Sequence, residues 1–384
     1  MSSKKKTRLP VSEVVRRQLW ATSAGRCQLE GCNRLLTEYH RKRTYRNRGY
    51  VAHIHAAEPG GPRPHPTKKP DELNQFDNLM MLCDSCHKEV DVDAPSEYPP
   101  ERLIAAKIQH LAAVRRLTDH ASAPSTQLLV YGSRIGSFDP PLSFRDTSAA
   151  VLGTHQPNDS SAIKINTSGF SGCEDDDDLY WPLLEKTLVT DLNRKIDALQ
   201  ANGSPAHYSV FGFAPQPLLI KFGTLLGSLK KVSCYQLSKE PDNWNWRSAE
   251  QTVYHTIKQT KLGKGPIVLK LSLSADITDE RINTVLGPDC AIWTLTHPTP
   301  NNDYLRSPAD LADFRKTIRR AYSEIKLAHG EDTTINVFPA APVSTMVETG
   351  RTWNPKADLP LVIYDQNKKR DGFIKTISIN AKTN

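Results

Sequence analysis

The chain has 384 residues and a formal net charge of +8 at pH 7, because 50 Lys and Arg residues outnumber 42 Asp and Glu residues. This excess of cations favours a nucleic-acid partner. No run of eighteen apolar residues occurs and no apolar segment follows the N-terminal lysines, so we expect neither a membrane span nor a secretion signal. The seven cysteines, an odd number, indicate reduced thiols rather than a disulfide framework. These features predict a soluble, cytoplasmic protein without a membrane partner.

The N-terminal segment predicts a helix and a concentration of positive charge. Ser12 is a favourable N-cap, and the helix is expected to run from there through Trp20 and to end at Gly25. The lysines and arginines of this segment are Lys4, Lys5, Lys6, Arg16, Arg17, Arg41, Lys42, Arg43, Arg46 and Arg48. They lead towards the strand expected at His53, where they would neutralise the phosphates of a bound nucleic acid.

Two cysteine pairs have the spacing of a structural metal site. Four residues separate Cys27 from Cys32, and two residues separate Cys83 from Cys86. Four thiolates in two clusters suit a tetrahedral Zn²⁺, which prefers sulfur ligands and a closed coordination shell. Because such an ion needs no further ligand, we expect the histidines between and beside the two pairs to serve another purpose.

Three residues around these cysteines indicate phosphodiester hydrolysis. His53, Asn78 and His87 follow in the order of a ββα-metal nuclease, and the segment closely resembles the HNH endonuclease family, in the subgroup with a zinc knuckle around the catalytic hairpin. The resemblance implies that His53 is the general base that polarises a water for in-line attack on the scissile phosphate. It also implies that Asn78 pins the backbone of the loop, and that His87 holds a catalytic divalent cation, Mg²⁺.

One position departs from the family pattern. Many family members place an acidic residue or a second histidine just before the base as a metal ligand, and this chain has Ala52 there. His55 and Asp77 are candidate substitutes, although His55 in an alternating strand would share a face with the base and line the groove. Asp91 lies four residues after His87 on the same helical face, where it would orient His87 or assist the metal. The alternative for the whole cluster is a zinc-stapled DNA-binding knuckle without catalysis.

The first domain is expected to cover residues 1–120 and to end in an amphipathic helix at 99–117, followed by a small, polar linker at 121–126. The apolar stripe of this helix is Leu103, Ile104, Ile108, Leu111 and Val114. Over residues 127–384, apolar strands alternate with helices, which predicts an α/β architecture. The strands are expected at 128–130, 208–211, 232–235, 267–273, 291–294, 335–338 and 361–364, and the longest helices at 180–200 and 307–328.

A weak internal repeat organises this second part. The sequence Val210-Phe211-Gly212-Phe213-Ala214-Pro215 reappears as Val337-Phe338-Pro339-Ala340-Ala341-Pro342. Gly223 and Gly350 follow the two Ala-Pro pairs at the same distance, and each copy continues to an apolar strand ending in Tyr235 or Tyr364. Strand, turn, helix and strand form a Rossmann-like unit, which binds ligands at the carboxyl ends of its strands. Two copies facing a shared crevice would suit a ligand with pseudo-twofold character, such as a cyclic nucleotide.

The second copy also carries a family signature. Residues 337–344, 350–356 and 359–365 resemble the C-terminal signature of the SAVED domain. The resemblance implies a fusion of two CARF-like, Rossmann-type halves that senses cyclic oligonucleotides.

Within this signature, side-chain chemistry suggests which residues contact the ligand. Arg351 offers a planar, charged fork for a phosphate or a guanine edge, and Trp353 offers a face for base stacking. Ser344 and Thr345 follow a strand-to-helix turn that favours an anion, and Gln216 holds the corresponding position in the first copy. A second aromatic and basic cluster, expected to close over the ligand, consists of Trp244, Trp246 and Arg247. The alternatives are core packing for the tryptophans and a surface salt bridge for Arg351.

Together the two resemblances predict a gated nuclease. The domain order is similar to that of the HNH-SAVED effector nucleases of bacterial CBASS anti-phage operons. The resemblance implies that a cyclic dinucleotide, for example a cGAMP isomer, drives assembly of a homo-oligomer, a dimer or tetramer, which cleaves double-stranded DNA. Two alternatives are a modification-dependent HNH restriction endonuclease and a non-cleaving, ligand-controlled DNA-binding regulator.

Overall fold

A computed structural model describes residues 10–40, 44–56, 60–118, 123–135, 141–158, 161–167, 177–201, 203–227, 229, 231–239, 242–247, 252–367 and 369–380. Residues 4–6 and 41–43 of the basic segment, and residues 121 and 122 of the expected linker, lie outside these ranges. The chain divides into two compact units, Met1–Ser122 and Ala123–Asn384. Within the described ranges, every helix is too short or too polar to cross a lipid bilayer.

The first unit contains a β-hairpin that leads directly into a helix. Its elements are α1 (Glu13–Thr22), β1 (Thr37–His40), β2 (Thr44–Asn47), β3 (Gly49–His53), β4 (Leu79–Cys83), α2 (Asp84–Lys88) and α3 (Pro100–Thr118). The predicted N-cap is confirmed, because the Ser12 hydroxyl accepts the Val15 N–H at 3.3 Å. Strands β3 and β4 are antiparallel, with His53 opposite Leu79. After α2 the backbone continues in a π-helical turn, Glu89–Asp93.

Helix α3 buries a different stripe from the one that the sequence predicts. Leu103 is buried as expected, but Ile104 and Ile108 are 39% and 60% exposed. The buried neighbours are Ala106 and Lys107, and the Lys107 ammonium group lies 3.9 Å from the centre of the Phe76 ring. The expectation for Ile104 and Ile108 was therefore wrong, because the face of α3 that packs on the core contains Leu103, Ala106 and Lys107.

The second unit contains two mostly parallel sheets. Its elements are β5 (Ser125–Gly132), α4 (Phe144–Val151), β6 (Gln156–Pro157), β7 (Ile163–Asn166), α5 (Tyr180–Ala201), β8 (Tyr208–Phe213), α6 (Gln216–Leu225), β9 (Val232–Tyr235), β10 (Ser238–Lys239), β11 (Asp242–Asn243), β12 (Thr256–Lys261), β13 (Ile267–Ser272), α7 (Asp279–Leu286), β14 (Ala291–Thr296), α8 (Pro308–His329), β15 (Ile335–Ala340), α9 (Val343–Thr352), β16 (Leu361–Asn367) and β17 (Gly372–Ile379). The expected strands and the two long helices are confirmed. The end of the expected linker was wrong, because strand β5 already begins at Ser125.

The two sheets have related topologies. The first has the order β6-β5-β8-β9, with β7 also paired to β5, and all of these pairs are parallel. The second has the order β12-β14-β13-β15-β16-β17, with four central parallel strands and an antiparallel strand at each edge. The largest core cluster joins one face of each sheet to helices α5, α6, α8 and α9. Both sheets thus share one layer of helices.

The internal repeat corresponds to two strand–helix–strand units, β8-α6-β9 and β15-α9-β16, each with parallel strands. Their helices cross at the two equivalent glycines. A Cβ atom on Gly350 would lie 1.8 Å from the Ile220 carbonyl oxygen, and one on Gly223 would lie 2.0 Å from the Val347 carbonyl oxygen. Since real Cβ atoms never approach so closely, only glycine at both positions allows this backbone-to-backbone contact.

Candidate metal and ligand sites

Four cysteine thiols converge in the first unit. The sulfur atoms of Cys27, Cys32, Cys83 and Cys86 all lie within 4.8 Å of one another. A tight turn brings the first two together: the Cys32 N–H donates to the Leu29 carbonyl at 3.2 Å, and Gly31 adopts a left-handed φ of 77°. The other two lie at the end of β4 and within α2.

The dimensions of this cluster fit a tetrahedral zinc ion. The Sγ atoms of Cys32 and Cys83 are 3.8 Å apart, and four sulfurs about 2.3 Å from a central Zn²⁺ would be separated by about 3.8 Å. Burial raises the pKa of the Cys27 thiol to about 12. Burial also acts on Cys83, but hydrogen bonds from Ser85 and Cys86 outweigh it and lower the pKa of Cys83 to about 6. A coordinated cation would stabilise all four thiolates together, so the donor set suits Zn²⁺.

Replacing Cys86 by serine is expected to lower the bound zinc from about one ion per chain to almost none, because a closed four-sulfur site depends on every ligand. Elemental analysis of the purified protein measures this. Cys290→Ser is the matched control, since Cys290 is a buried thiol of the second unit. Equal zinc contents in the two variants would contradict the assignment of the site.

The candidate base, His53, is buried at the end of strand β3. Its Nε2 lies 2.9 Å from Oδ1 of Asn74. A proton on Nε2 that is donated to this oxygen makes Nδ1 the basic nitrogen of the ring. Asn74 lies in the loop between β3 and β4, and its place in the sequence gave no indication of this contact.

Asn78 holds the backbone that follows the candidate base. Its Oδ1 accepts the His55 N–H at 2.9 Å, and its amide nitrogen donates to the carbonyls of His55 and Leu73, both at 3.0 Å. The Asn78 carbonyl also accepts the Ile54 N–H at 2.8 Å. These four bonds hold the backbone on both sides of the opening of the loop between β3 and β4.

His87 lies on α2 beside Asp91, as their spacing predicts. Its Nε2 is 3.3 Å from Oδ2 of Asp91, and its ring stacks on Tyr50 with 4.9 Å between the ring centres. The imidazole and carboxylate supply two adjacent donors for a divalent cation. Mg²⁺ commonly keeps several waters and takes its remaining ligands from substrate phosphates, so two protein donors are compatible with it.

Arg63, which the sequence did not single out, connects these residues. Its guanidinium donates to the carbonyls of Ile54 at 2.9 Å and Val90 at 2.7 Å, and forms an ion pair with Oδ1 of Asp91. The end of strand β3 is thereby tied to the turn after α2. Because Arg63 lies in a Pro- and Gly-rich loop, the sequence alone predicts an exposed cation at this position.

The remaining metal candidates are not brought together with His87. Ala52, which stands where many family members have a metal ligand, packs in the core of the first unit. Asp77, a candidate substitute, is exposed. His55 meets the ring of His65, with 4.8 Å between the ring centres, and burial lowers the pKa of His55. Among the residues that the structure describes, the four cysteines are the only group of three or more His, Cys, Asp or Glu side chains placed to share one metal.

In the second unit, the ligand candidates on α9 lie at opposite ends of the helix. Ser344 is at its first turn and Arg351 at its last, and seven residues of α-helix separate them by about 10 Å. The N–H of Ser344 is not available to an anion, because it donates to Oε1 of Gln236 at 3.1 Å. Thr345 is fully buried, and its hydroxyl donates to the Pro342 carbonyl at 2.6 Å. Internal hydrogen bonds therefore use the groups of Ser344 and Thr345 that were expected to bind an anion.

Gln216 occupies the equivalent first turn of α6, and its buried Oε1 has no hydrogen-bond partner. The N termini of α6 and α9 both follow the carboxyl end of a parallel strand. Because Gln236 of the first half bonds Ser344 of the second, the two halves are joined at this edge.

The tryptophans are part of the core. Trp353 is 4% exposed and donates its indole N–H to the Leu359 carbonyl, and Trp244 is 1% exposed and donates to the Pro141 carbonyl. Both rings are packed in the core, so neither presents an exposed face. Trp246 is half-buried beside Tyr235, with 6.4 Å between the ring centres.

Arg247 and Arg351 are both paired with carboxylates. Arg247 meets Asp303 at 2.8 Å. Arg351 binds Glu348 through Nε at 3.1 Å and through a terminal nitrogen at 3.2 Å. Arg351 also lines a cleft of about 440 Å³ between α8 and α9.

Two Rossmann-like halves that share a helical layer define a duplicated α/β domain. The family model described as "SMODS-associated and fused to various effectors sensor domain", SAVED, matches residues 188–379, which is half of the chain. The protein therefore belongs to the SAVED family, and the predicted SAVED sensor domain is confirmed. No curated protein matches the chain.

Several solved structures resemble the chain. The Cap4 SAVED/CARF-domain receptor of Acinetobacter baumannii with the cyclic trinucleotide 2'3'3'-cAAA is 12% identical, with a TM-score of 0.43 over 73% of this chain and 59% of the receptor. The same receptor with 3'3'3'-cAAA is 10% identical, with a TM-score of 0.45 over 73% and 60%. The Cap4 receptor of Moraxella osloensis is 11% identical, with a TM-score of 0.42 over 73% and 58%. The chain spans about three-fifths of the length of these receptors.

Proposed function

We propose that this protein is a DNA endonuclease that a cyclic oligonucleotide activates, and that it acts as the effector of a CBASS anti-phage system. The first unit would cut double-stranded DNA and the second would sense the signal. The main support for nuclease activity is a pair of contacts at the end of strand β3. Asn74 holds the ring of His53, and Asn78 holds the backbone of His55.

In this proposal His53 is the general base. With its Nε2 proton directed to Asn74, Nδ1 accepts a proton from water, and the resulting hydroxide attacks phosphorus as the ester oxygen on the opposite side leaves. The bonds from Asn78 hold His53 in place, so little reorganisation is needed at the moment of reaction. A Mg²⁺ ion held by His87 and Asp91 would supply positive charge for the phosphate oxygens.

Membership of the SAVED family supports the sensor half of the proposal. The two halves are joined at the carboxyl ends of their parallel strands, where Oε1 of Gln236 in the first half accepts the Ser344 hydroxyl of the second. This arrangement suits a ligand that repeats its own phosphate and base. Such a ligand changes activity only by its differential affinity for the active state, so the resting protein is expected to be inactive. Uncontrolled DNA cleavage would also harm the host cell.

We expect the purified full-length protein to degrade supercoiled plasmid with Mg²⁺ only when one member of a panel of cyclic di- and trinucleotides is present. EDTA should stop the reaction, because the phosphate charge then lacks its counter-ion. Gel electrophoresis over time measures cleavage, and light scattering measures ligand-driven oligomerisation. Cleavage without any cyclic nucleotide would favour a restriction enzyme, and no cleavage under any condition would favour a DNA-binding regulator.

A further inference from the structure

The cleft between α8 and α9 concentrates positive charge. Four of its lining residues are cations, Arg315, Lys316, Arg319 and Arg351, and the other two are Ala312 and Thr352. Two buried carboxylates, Glu348 and Asp358, lie beneath them with 1% and 3% of their side chains exposed. Four cations against two carboxylates leave two positive charges uncompensated.

The carboxylates hold the guanidinium groups in fixed orientations. Asp358 binds Arg319 through both of its oxygens, and one nitrogen of Arg319 also donates to the Thr352 carbonyl at 3.1 Å. Glu348 binds Arg351 and lies 3.8 Å from Nε of Arg315. Because the buried carboxylates already fix the orientation of these guanidinium groups, binding of an anion would cost little side-chain entropy.

The first half of the domain provides an internal comparison. The offset that relates Gly223 to Gly350 places Lys221 at the position of Glu348 and Thr224 at that of Arg351. Lys221 forms one buried pair with Glu185 of α5 at 3.1 Å. The position equivalent to Arg351 is thus uncharged in the first half, so the Rossmann-like unit does not require a cation there.

We propose that this cleft is a binding site for the phosphate group of a small molecule. Its volume of about 440 Å³ is within the usual range of ~300–1,000 Å³ for such sites. Arginine forks match phosphate oxygens in geometry and charge. The site is distinct from the crevice at the carboxyl ends of the strands, because Arg351 lies about 10 Å along α9 from Ser344. The phosphate belongs either to the cyclic oligonucleotide signal or to another phosphorylated molecule in the cell.

Titration of the full-length protein with inorganic pyrophosphate tests the site. Arg315→Ala is expected to weaken pyrophosphate binding about tenfold or more, since one charge-assisted hydrogen bond is lost. This variant leaves the Arg351–Glu348 and Arg319–Asp358 pairs intact. Arg320→Ala is the matched control, because Arg320 is on the same helix and faces Glu324 outside the cleft. A failure of wild type to bind pyrophosphate, or equal affinities of the two variants, would overturn the proposal.

A second measurement shows which molecule carries the phosphate that binds in the cleft. This measurement rests on the proposed function, whereas the pyrophosphate titration does not. The concentration of cyclic oligonucleotide that gives half-maximal plasmid cleavage is compared between Arg315→Ala and Arg320→Ala. A tenfold higher requirement in Arg315→Ala alone would assign the site to the signal molecule. Equal requirements, together with weakened pyrophosphate binding, would assign it to a separate phosphorylated ligand. Failure of the nuclease proposal leaves the pyrophosphate result unaffected.

Discussion

Replacing His53 by alanine is expected to slow DNA cleavage by a factor of about 10²–10⁴, the usual contribution of a general base. The reason is that His53 is the imidazole that Asn74 orients, beside the backbone that Asn78 holds. The rate of plasmid linearisation at saturating cyclic nucleotide and Mg²⁺ measures the effect. Zinc content and ligand binding should stay at wild-type values, because His53 belongs to neither site.

His110→Ala is the matched control for this variant. His110 is another histidine of the first unit, and its Nε2 meets the Ser23 carbonyl at 3.0 Å. We expect His110→Ala to keep most of its cleavage activity. If His53→Ala cuts as fast as His110→Ala, His53 is not the base. If wild type and both variants bind DNA equally and none of them cuts, the first unit is a DNA-binding knuckle.

Replacing Gly350 by alanine is expected to destabilise the second unit by about 3 kcal/mol or more, which is the upper range for overpacking a core. The added Cβ would meet the Ile220 carbonyl oxygen at 1.8 Å and the Thr224 nitrogen at 2.8 Å, both backbone atoms of α6. Helices α6 and α9 would have to move apart, and the shared core would open. At about 2–4 °C per kcal/mol, the melting temperature should fall by about 6–12 °C.

Gly372→Ala serves as the control for Gly350→Ala. A Cβ on Gly372 would come no closer than 4.0 Å to the Arg370 carbonyl oxygen, so its effect should stay within about 0.5 kcal/mol. Differential scanning calorimetry compares the two variants. Similar melting temperatures for both variants would mean that the crossing of α6 and α9 tolerates a side chain. Glycine would then not be required at position 350.

Local patterns predicted much of the second unit. The repeated Val-Phe and Ala-Pro segments predicted strands β8 and β15, and each continued into a helix as expected. Six strands of the second unit were missed: β6, β7, β10 and β11, and the two edge strands of the larger sheet, β12 and β17. Strand β12 is largely polar and its burial alternates, so it lacks the apolar run of a buried strand. Strand β17 follows a charged turn and covers the edge of the sheet, which depends on a neighbour distant in sequence.

The first unit divides in a similar way. The spacing of the cysteines predicted that four sulfurs would meet, and the family resemblance carried by His53, Asn78 and His87 implied a hairpin followed by a helix. The contacts of Asn74 and Arg63 were not predicted. Both residues come from the loop between β3 and β4, where nothing in the local pattern determines how the chain folds back.

The sequence by itself determined the kinds of chemistry present: a set of four thiols, an asparagine between two histidines in the chain, and a duplicated α/β unit. These depend on residue type and on short spacing along the chain, which a sequence states directly. Only the tertiary structure decided which groups are accessible. It buried Trp353 and Trp244, separated Arg351 from Ser344 along one helix, and collected four cations in one cleft. Burial and charge clustering arise from contacts between segments that are distant in the sequence. The cluster of four cations could therefore be recognised only from the packing of α8 against α9.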